Sequence, residues 1–546
     1  MKRSIGLITL NAKFIQTALS LRYLRNAART AGFQNVWIEE FVINQPVWKI
    51  AAEIQKRRTE ILGVSIYIWN RHQSFELIER LKKQNPELKI VIGGPEVSFE
   101  KELSDQYTTI SGEGESKWVE FLKYQERNEN PTQEVLDRWN TYGVDLPDLA
   151  PPYLEEDLPN LKNRIAYLET SRGCPYLCSF CLSALDKKVR YFEQDATKKQ
   201  IEKLVTAGAR RIKFVDRTFN LKPKQMQELM QWLTRFRGAS FHFEVVADIL
   251  TPDILDFLAT VPEGMFQFEI GVQTTDDSTQ DSIQRKQNNQ KLFDAIAALS
   301  RQNKIHCHCD LIFGLPGETL EQMLNSFEEV LSLKPHELQL GFLKFLPGAP
   351  INSVIESCGY QFQSTPPYEL ISSNDLSADG VIYLKKFTEV FELFYNSKRF
   401  RFTIENLLKT WTPVKLFDHI LQYMDEKNLL FRSHSLDSQY KILHDAFLLG
   451  GNDLEFDLLK LDYLYSQRIF HLPRFLKNRL GESGELKQKT WQGDRKSPMI
   501  PFHHEIQKTG SGVKMVPSPA PRHYVIAHPN GDSGYIQQPA IILVND

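Results

Sequence analysis

The chain has 546 residues, of which 42% are apolar, 25% charged and 11% aromatic. This is the composition of a folded globular protein, and it excludes intrinsic disorder and collagen-like repeats. At about 100 to 200 residues per domain, the length predicts three or four domains. The 66 basic and 68 acidic side chains leave a formal net charge of -2, which argues against non-specific nucleic-acid binding.

The sequence contains no run of about 18 apolar residues that could cross a bilayer. Its start, MKRSIGLITLNAK, has too short an apolar segment for a secretory signal, so we expect a cytoplasmic protein without a membrane partner. Six cysteines are too few for a disulfide scaffold. Three of them, Cys174, Cys178 and Cys181, fall within eight positions, and in a reducing compartment such a cluster indicates a metal site or catalysis.

Residues 1–126 alternate apolar strands with segments of helical period, the pattern of a parallel sheet with crossover helices. Helices are predicted over Ala18–Ala31 and Phe75–Lys83. The five predicted strands are Ser4–Asn11, Val36–Val42, Ile61–Trp69, Lys89–Ile92 and Tyr107–Ser111. The predicted fold class is therefore α/β with a Rossmann-like amino-terminal domain, whose ligands should lie beyond the carboxyl ends of the strands.

A second series of strands follows a proline-rich segment, residues 127–163, that we take as a linker. The predicted strands of residues 164–375 are Ile165–Glu169, Arg211–Val215, His242–Ala247, Gln267–Gly271, His306–Ile312 and Glu337–Phe342. Six strand–helix units are fewer than the eight of a closed (β/α)8 barrel, so a partial (β/α)6 TIM-like barrel is the better prediction.

Beyond residue 375 the pattern becomes helical, and residues 376–483 are predicted to form a mainly helical domain. One helical stripe, expected in a core, consists of Val381, Leu384, Phe387, Val390, Phe391 and Phe394. Residues 484–546 form a predicted tail with one candidate strand at Ala540–Val544. Tyr395, His503 and His504 are candidate substrate contacts, although a structural role suits each of them better.

The sequence TSRGCPYLCSFC places Cys174, Cys178 and Cys181 directly after a predicted barrel strand, with Cys-x-x-x-Cys-x-x-Cys spacing. The carboxyl ends of barrel strands are where such folds hold their catalytic groups. A structural zinc site normally has four ligands, whereas three thiolates on a 4Fe-4S cluster leave one iron free for a substrate or cosubstrate. The alternatives are a zinc site completed by a remote histidine, or three cysteines packed without a metal.

This spacing is the defining motif of the radical S-adenosylmethionine (SAM) superfamily, which the chain resembles. Three further segments resemble motifs of that barrel, FVDRTFN at Phe214–Asn220, FEIGVQT at Phe268–Thr274 and DLIFGLPGET at Asp310–Thr319. The resemblance implies a 4Fe-4S cluster on the three cysteines, with SAM bound to the open iron and cleaved reductively to a 5'-deoxyadenosyl radical. The SAM-binding residues that we expect are Glu244, Glu269, Gln273 and Arg285. For the two acids, a solvated or structurally paired side chain is the alternative.

The segment HCHCD at positions 306–310 looks like a second metal site, but strand geometry argues otherwise. Alternate residues of a strand face opposite sides, so His306, His308 and Asp310 share one face and the two cysteines share the other. We expect His308 and Asp310 to contact substrate in a polar barrel interior.

Two glycine-bearing elements follow predicted strands of the amino-terminal domain, GGPEVS at Gly93–Ser98 and SGEGES at Ser111–Ser116. With the preceding GVSIYIW and the radical SAM segment behind them, they resemble the cobalamin-binding domain that precedes the barrel in one branch of the superfamily. The cobalamin-binding residues implied are Ser65, Tyr67, Arg71, Gly93, Gly94, Glu113 and Gly114. A Rossmann-like domain used only for packing is the alternative.

The loop after the first strand departs from the cobalamin family's pattern. Cobalamin domains that ligate cobalt from below carry Asp-x-His-x-x-Gly there, whereas this chain has NAKFIQ at 11–16. If cobalamin binds, no imidazole from that loop is its lower ligand. Arg71 and His72, just past the third predicted strand, are candidates to approach that face.

The domain order resembles that of a cobalamin-dependent radical SAM enzyme, and a methyltransferase is the leading hypothesis. The alternatives are another reaction on the same scaffold, such as rearrangement, cyclisation or 3-amino-3-carboxypropyl transfer from SAM, and a non-catalytic iron–sulfur protein. The carboxyl-terminal part resembles an extension of one subgroup to which we assign no chemistry. The expected partners are a small-molecule or peptide substrate and an external one-electron reductant of flavodoxin or ferredoxin type, whereas nucleic acid is not expected.

Overall fold

The computed structural model describes residues 3–142, 149–449, 452–466, 472–477, 500–509, 512–527 and 540–544. The chain divides into two compact units. Residues 1–318 with 341–375 form the first, and residues 319–340 with 376–546 form the second. None of the helices in the described ranges is both long and apolar enough to span a membrane.

The first unit begins with a five-stranded parallel sheet in the order β2-β1-β3-β4-β5. Its strands are β1 (Ile5–Asn11), β2 (Val36–Val42), β3 (Ile61–Ser65), β4 (Lys89–Gly93) and β5 (Thr108–Ile110). The helices are α1 (Leu19–Thr30), α2 (Val47–Lys56), α3 (Arg71–Gln84), α4 (Lys101–Gln106) and α5 (Glu115–Arg127). Every residue of β1 is buried; Ile5 and Leu7 enter one hydrophobic core, and Ile8 and Leu10 enter another. This is the burial expected of a parallel strand covered on both faces.

All five predicted strands of this sheet are present, although the third is shorter than predicted. β3 ends at Ser65 because Tyr67 N donates a hydrogen bond to Asn70 Oδ1 (2.8 Å) in a turn that leads into α3. The segment predicted as a linker, 127–163, contains helix α6 (Gln133–Trp139) and a 3-10 helix (Glu155–Leu161). Pro131 precedes α6, Thr132 caps this helix by accepting from Val135 N, and Pro159 lies within the 3-10 helix.

The second sheet has the order β13-β12-β11-β10-β9-β6. Its strands are β6 (Ile165–Leu168), β9 (Arg211–Phe214), β10 (Ser240–Val245), β11 (Phe266–Gln273), β12 (His306–Phe313) and β13 (Glu337–Phe342), which crosses from the second unit into the first at Gly341. The helices are α7 (Gln194–Thr206), α8 (Pro223–Leu233), α9 (Pro252–Leu258), α10 (Asp277–Ser282), α11 (Asn289–Gln302) and α12 (Leu320–Ser332). A strand order that follows the sequence, with its first and last strands at opposite edges, is the partial barrel predicted.

Two short ribbons complete the first unit. One pairs β7 (Ser171–Arg172) with β8 (Arg190–Tyr191), and the other pairs β14 (Gln361–Phe362) with β15 (Leu370–Ser372).

The six predicted barrel strands are all found, with ends within two residues of the prediction.

The second unit contains α12 and a further set of helices. These are α13 (Ala378–Phe391), which continues as a π-helical turn over Glu392–Asn396, α14 (Arg401–Leu407), α15 (Pro413–Glu426), α16 (Leu436–Ala446), α17 (Asp453–Ser466) and α18 (Arg474–Lys477). All six residues of the predicted stripe are buried. Ser377 begins α13 by accepting from Gly380 N.

The region predicted as a tail contains a three-stranded antiparallel sheet. Its strands are β16 (Ile500–Thr509), β17 (Gly512–Ala527) and β18 (Ala540–Val544). The strand predicted at Ala540–Val544 is confirmed. β16 was missed although Ile500, Phe502 and Ile506 lie at even spacings and are all buried, which is the period of a strand. The remainder of the predicted tail lies outside the described residues.

Candidate active site

The three clustered cysteines lie in a loop that leaves β7 and returns to β8. Residues 173–189 are called the cluster loop below. Cys174 N donates to Asp186 O (2.9 Å) and so closes the loop near its base. Gly173 has φ of +88°, and a Cβ there would lie 2.4 Å from a backbone oxygen across the loop. Only glycine therefore fits where the two sides of the loop meet.

The cysteines border a pocket of about 200 Å³ at the carboxyl ends of the barrel strands. Cys174 and Cys178 are 8% and 7% exposed, and Cys181 is partly exposed. The same pocket is lined by the four residues predicted to bind SAM and by one predicted to contact substrate, namely Glu244, Glu269, Gln273, Arg285 and Asp310. The fold thus brings side chains from several strand ends into one cavity with the cysteines, while their individual roles stay predictions.

Arg285 lies beside the second cysteine. Its Nη1 is 3.6 Å from Cys178 Sγ, its Nε donates to Gln287 Oε1 (2.9 Å), and its Nη2 donates to Gly271 O. Burial raises the pKa of the Cys178 thiol, and the guanidinium of Arg285 opposes that rise. Because the thiolate is the form that binds metal, Arg285 favours the ligating form of Cys178.

The two glutamates of the pocket differ in their ionisation. Burial raises the pKa of Glu244 to about 7. The contact with His242, whose Nε2 lies 2.8 Å from Glu269 Oε2, lowers the pKa of Glu269. At neutral pH Glu269 is therefore an anion, whereas Glu244 is partly protonated. Environments that separate the pKa values of neighbouring carboxyl groups are typical of functional sites.

The two charged residues of the motif FVDRTFN, Asp216 and Arg217, were not predicted as site residues. Arg217 lines the pocket. Asp216 is 1% exposed and accepts hydrogen bonds from Thr170 N (2.8 Å) and Ser171 Oγ (2.7 Å), so it holds the strand that leads into the cluster loop. Asp248 also lines the pocket, and no pattern in the sequence pointed to it.

Strand β12 has the two faces that were predicted. Cys307, Cys309 and Leu311 are buried, whereas His308 and Asp310 on the opposite face are partly exposed. His308 Nε2 lies 3.3 Å from Asp310 Oδ1. Over the described part of the chain, no three His, Cys, Asp or Glu side chains are spaced to hold a single metal ion.

The carboxyl edge of the first sheet presents an aromatic pair. Tyr67 stacks on Trp69 with ring centroids 4.6 Å apart and 4° between the ring planes, and Trp69 is 44% exposed. Tyr67 Oη lies 3.1 Å from Ser20 Oγ. Ser65 is buried at the end of β3, where its carbonyl accepts from Thr9 Oγ1. The exposed indole, which sequence reasoning missed, offers a flat face to a large ligand.

Other predicted cobalamin residues have partners within this domain. A Cβ on Gly94, whose φ is +109°, would lie 2.4 Å from Ile66 O, and one on Gly93 would lie 3.2 Å from a carbonyl oxygen. The sheet's own packing therefore accounts for both glycines. Arg71 donates to Glu96 O (3.1 Å) and Glu100 Oε2 (2.7 Å), so its guanidinium is held by nearby acceptors.

Glu113, also predicted to bind cobalamin, is hydrogen-bonded to Arg190, which follows the cluster loop. Its two carboxylate oxygens accept from Arg190 Nη1 (2.9 Å) and Nη2 (2.6 Å). The neighbouring Glu115 accepts from Arg172 Nη2 (2.8 Å). Gly114 lies between these two glutamates as the N-cap of α5. This loop of the amino-terminal domain thus contacts both ends of the cluster loop.

The loop after β1 contains no histidine, as the sequence shows. Asn11 Nδ2 donates to Gln16 O (2.9 Å) across it, and Phe14 is 70% exposed with the Arg164 guanidinium 5.3 Å from its ring centre. His72 is exposed in the first turn of α3.

The three candidate substrate contacts of the second unit have structural partners. Tyr395 Oη donates to Pro335 O (3.0 Å). His503 Nδ1 and His504 Nδ1 lie 3.4 and 3.1 Å from the fully buried carboxylate of Asp457. Their contacts agree with the structural role preferred for them.

Three parts of the chain match known protein families. Residues 5–122 match the B12 binding domain, and residues 168–330 match the radical SAM superfamily. Residues 168–330 are therefore a radical SAM domain by this match. Residues 356–511 match a family described as a protein of unknown function, DUF4080, which corresponds to the carboxyl-terminal extension noted in the sequence. The matches agree with the expected cofactor set of a 4Fe-4S cluster, SAM and cobalamin.

Two relatives are methyltransferases by name. The cobalamin-dependent radical SAM methyltransferase TokK of Streptomyces tokunonensis is 27% identical over 349 residues, which are 56% of this chain and 50% of TokK. The 2-(S-pantetheinyl)-carbapenam-3-carboxylate methyltransferase of Streptantibioticus cattleyicolor is 24% identical over 342 residues, with the same two shares of 56% and 50%. This chain spans about half the length of these curated relatives.

Two solved structures share the fold. The cobalamin-dependent SAM radical enzyme OxsB with aqua-cobalamin bound has a TM-score of 0.58 at 16% identity, covering 85% of this chain and 80% of OxsB. The radical SAM methyltransferase TsrM from Kitasatospora setae, with cobalamin and a 4Fe-4S cluster bound, has a TM-score of 0.56 at 17% identity, covering 67% of this chain and 82% of TsrM.

Proposed function

We propose that this chain is a cobalamin-dependent radical SAM methyltransferase. The observation that carries the proposal is one pocket in which the three cysteines of the cluster loop meet Arg285 and two carboxylates of different charge. The B12 binding domain match and the names of the relatives favour methyl transfer over rearrangement, cyclisation, aminocarboxypropyl transfer or a non-catalytic role.

The cysteines suit a 4Fe-4S cluster. Cys174, Cys178 and Cys181 are free thiols on one short loop, and three thiolates leave one iron of such a cluster open. When bound, the cluster and SAM supply a 5'-deoxyadenosyl radical, and cobalamin supplies a methyl group. Arg285 opposes the rise that burial causes in the pKa of the Cys178 thiol, and Asp216 holds the strand that presents the loop.

The remaining pocket residues suit the charges of SAM. The guanidinium of Arg285 matches a carboxylate, for which planar bidentate pairing is the strongest geometry. Glu269, anionic through its contact with His242, suits an ammonium or ribose hydroxyls. Glu244 and Gln273 also line this pocket. His308 and Asp310 extend the polar surface into the barrel, where we assign them to the substrate.

The carboxyl edge of the first sheet suits cobalamin. Trp69, stacked on Tyr67, provides an exposed aromatic surface, and the loop after β1 supplies no imidazole to cobalt. This edge also contains, by their positions along the backbone, Ser65, Gly93, Gly94 and Gly114. The substrate is a small molecule or a peptide, and an external one-electron donor of flavodoxin or ferredoxin type completes the system.

Anaerobic purification with iron and cobalamin supplied tests the proposal. The protein should retain both, and mass spectrometry of its SAM products should give 5'-deoxyadenosine together with S-adenosylhomocysteine. Methylthioadenosine would instead indicate aminocarboxypropyl transfer. A protein that holds only zinc, or that binds no cobalamin at saturating supply, would contradict the proposal.

A further inference from the structure

Two arginines at the base of the cluster loop are bonded to the amino-terminal domain. Arg172 precedes the loop, Arg190 follows it, and the two pair across the β7–β8 ribbon. Arg190 donates to both oxygens of Glu113 at 2.9 and 2.6 Å, and Arg172 donates to Glu115 at 2.8 Å. These four residues are called the interdomain clamp below. The four side chains tie both ends of the cluster loop to the junction between β5 and α5 in the amino-terminal domain.

The clamp is largely removed from water. The side chains of Arg172 and Glu115 are 14% and 8% exposed, and those of Arg190 and Glu113 are 10% and 18% exposed. Such pairs are screened less than surface pairs, and the two parallel bonds between Arg190 and Glu113 add a fixed geometry. Arg172 Nε also donates to Glu169 (3.0 Å), which anchors this arginine on the barrel side.

A short chain of contacts connects the clamp to the first cluster cysteine. Arg190 also pairs with the Asp186 carboxylate, and Asp186 O accepts from Cys174 N (2.9 Å). Glu113 is therefore linked to Cys174 through one arginine, one aspartate and one backbone hydrogen bond. A displacement of Glu113 relative to the barrel would be passed to the cysteine that begins the cluster motif.

We infer that Glu113 and Glu115 are positioning residues, which fix the cluster loop against the cobalamin-binding edge so that methyl donor and radical source face one substrate. This inference rests on the proposed function. It also changes the role predicted for Glu113. Both oxygens of this carboxylate are engaged by Arg190, so it acts through the cluster loop instead of ligating cobalamin.

The first test measures the distance between the two paramagnetic centres in the intact chain. Wild type and the double variant Glu113→Gln/Glu115→Gln are loaded anaerobically with iron, sulfide and hydroxocobalamin and then reduced to cob(II)alamin and the reduced cluster. Pulsed EPR should give a narrow distance distribution in wild type and a broadened one in the double variant, with cluster and cobalamin contents unchanged.

A matched control separates positioning from general loosening of the domain boundary. Glu40 is 6% exposed and accepts from Arg22 (2.7 Å) and from Arg164 (2.8 Å), the residue before β6. This ion pair also joins the amino-terminal domain to the start of the barrel, but it does not touch the cluster loop. Glu40→Gln should lower thermal stability and leave the distance distribution unchanged.

The second test needs no cofactor. Amide hydrogens of residues 173–190 should exchange about tenfold faster in the double variant, the effect of losing charged hydrogen bonds, and at the wild-type rate in Glu40→Gln. Adding Arg190→Gln to Glu113→Gln should raise the exchange further, because Arg190 also pairs with Asp186 inside the cluster loop.

The outcomes of these tests distinguish a failure of the clamp inference from a failure of the proposed function. The inference about the clamp is overturned if the cluster-loop amides exchange equally fast in wild type and in the double variant. It is also overturned if they exchange as fast in Glu40→Gln as in the double variant. A wild-type protein that takes up no cobalamin overturns the proposed function instead, and the exchange rates still decide whether the clamp orders the cluster loop.

Discussion

Arg172 Nη2 lies 2.8 Å from Glu115 Oε1, which joins the residue two positions before the first cluster cysteine to the first turn of α5. The same nitrogen lies 2.7 Å from Glu169 Oε1. One guanidinium therefore serves a carboxylate of each domain. Arg172 Nε also donates to Glu169 Oε1 (3.0 Å), and a lysine, which has one nitrogen, cannot reproduce this two-nitrogen fork.

Arg172→Lys should accordingly destabilise the protein while keeping its net charge. We expect a loss of about 1.5 to 3 kcal/mol in the free energy of unfolding, the range for hydrogen bonds to charged groups, measured by urea denaturation of the intact chain. Arg138→Lys is the control, because Arg138 pairs with Glu120 and is 53% exposed; its effect should stay below about 1 kcal/mol. Equal losses in the two variants would contradict the prediction.

Cys178→Ala should abolish cluster loading. With one of three thiolates removed, iron and sulfide content after anaerobic reconstitution should fall to background, and the EPR signal of the reduced cluster should disappear. Cys358 lies outside the cluster loop and is partly exposed, so Cys358→Ala should load as wild type. Unchanged iron in the Cys178 variant would show that the cluster assignment is wrong.

Arg285→Gln should weaken SAM binding. Loss of a charged hydrogen bond corresponds to about a 10- to 100-fold increase in Kd, measured by equilibrium binding to the reconstituted protein. Lys286 lines the same pocket, and Lys286→Gln removes an equal charge there as the control. The assignment of Arg285 fails if both variants bind SAM equally well.

SAM affinity should depend on pH through Glu244. Burial raises the pKa of this carboxyl to about 7, so it is neutral below that pH and anionic above it. The sulfonium and ammonium groups of SAM prefer the anion, and affinity should therefore increase as pH rises, by up to about tenfold per unit below pH 7, and level off above it. Glu244→Gln should remove the slope; a slope that persists in this variant belongs to another group.

Cobalamin bound to this protein should lack an axial histidine. We also expect the dimethylbenzimidazole base of the cofactor to be displaced from cobalt, so EPR of the cob(II)alamin form should show no nitrogen splitting from a lower ligand, unlike free cobalamin with its base bound. His72, exposed in the first turn of α3, provides the control, and His72→Ala should leave the spectrum unchanged. A triplet splitting that is lost in this variant would identify His72 as the ligand.

Local patterns in the sequence determined most of the fold. Strand periods predicted all eleven strands of the two parallel sheets, because burial on both faces imposes apolar runs that are visible in the residues themselves. The spacing of Cys174, Cys178 and Cys181 determined the candidate cluster site in the same way, since one short loop holds all three. β16 was missed because His504 interrupts the even spacing of its apolar residues Ile500, Phe502 and Ile506.

Only the tertiary structure decided which charges meet. Glu113 and Arg190 are 77 positions apart. From the sequence alone, a glutamate between two glycines could equally well be a ligand of a bound cofactor. Glu244 and Glu269 are both strand-end acids in the sequence, yet burial raises the pKa of one and His242 lowers that of the other. The physical reason is that ionisation and pairing depend on desolvation and on neighbours across strands, which the order of residues along the chain does not contain.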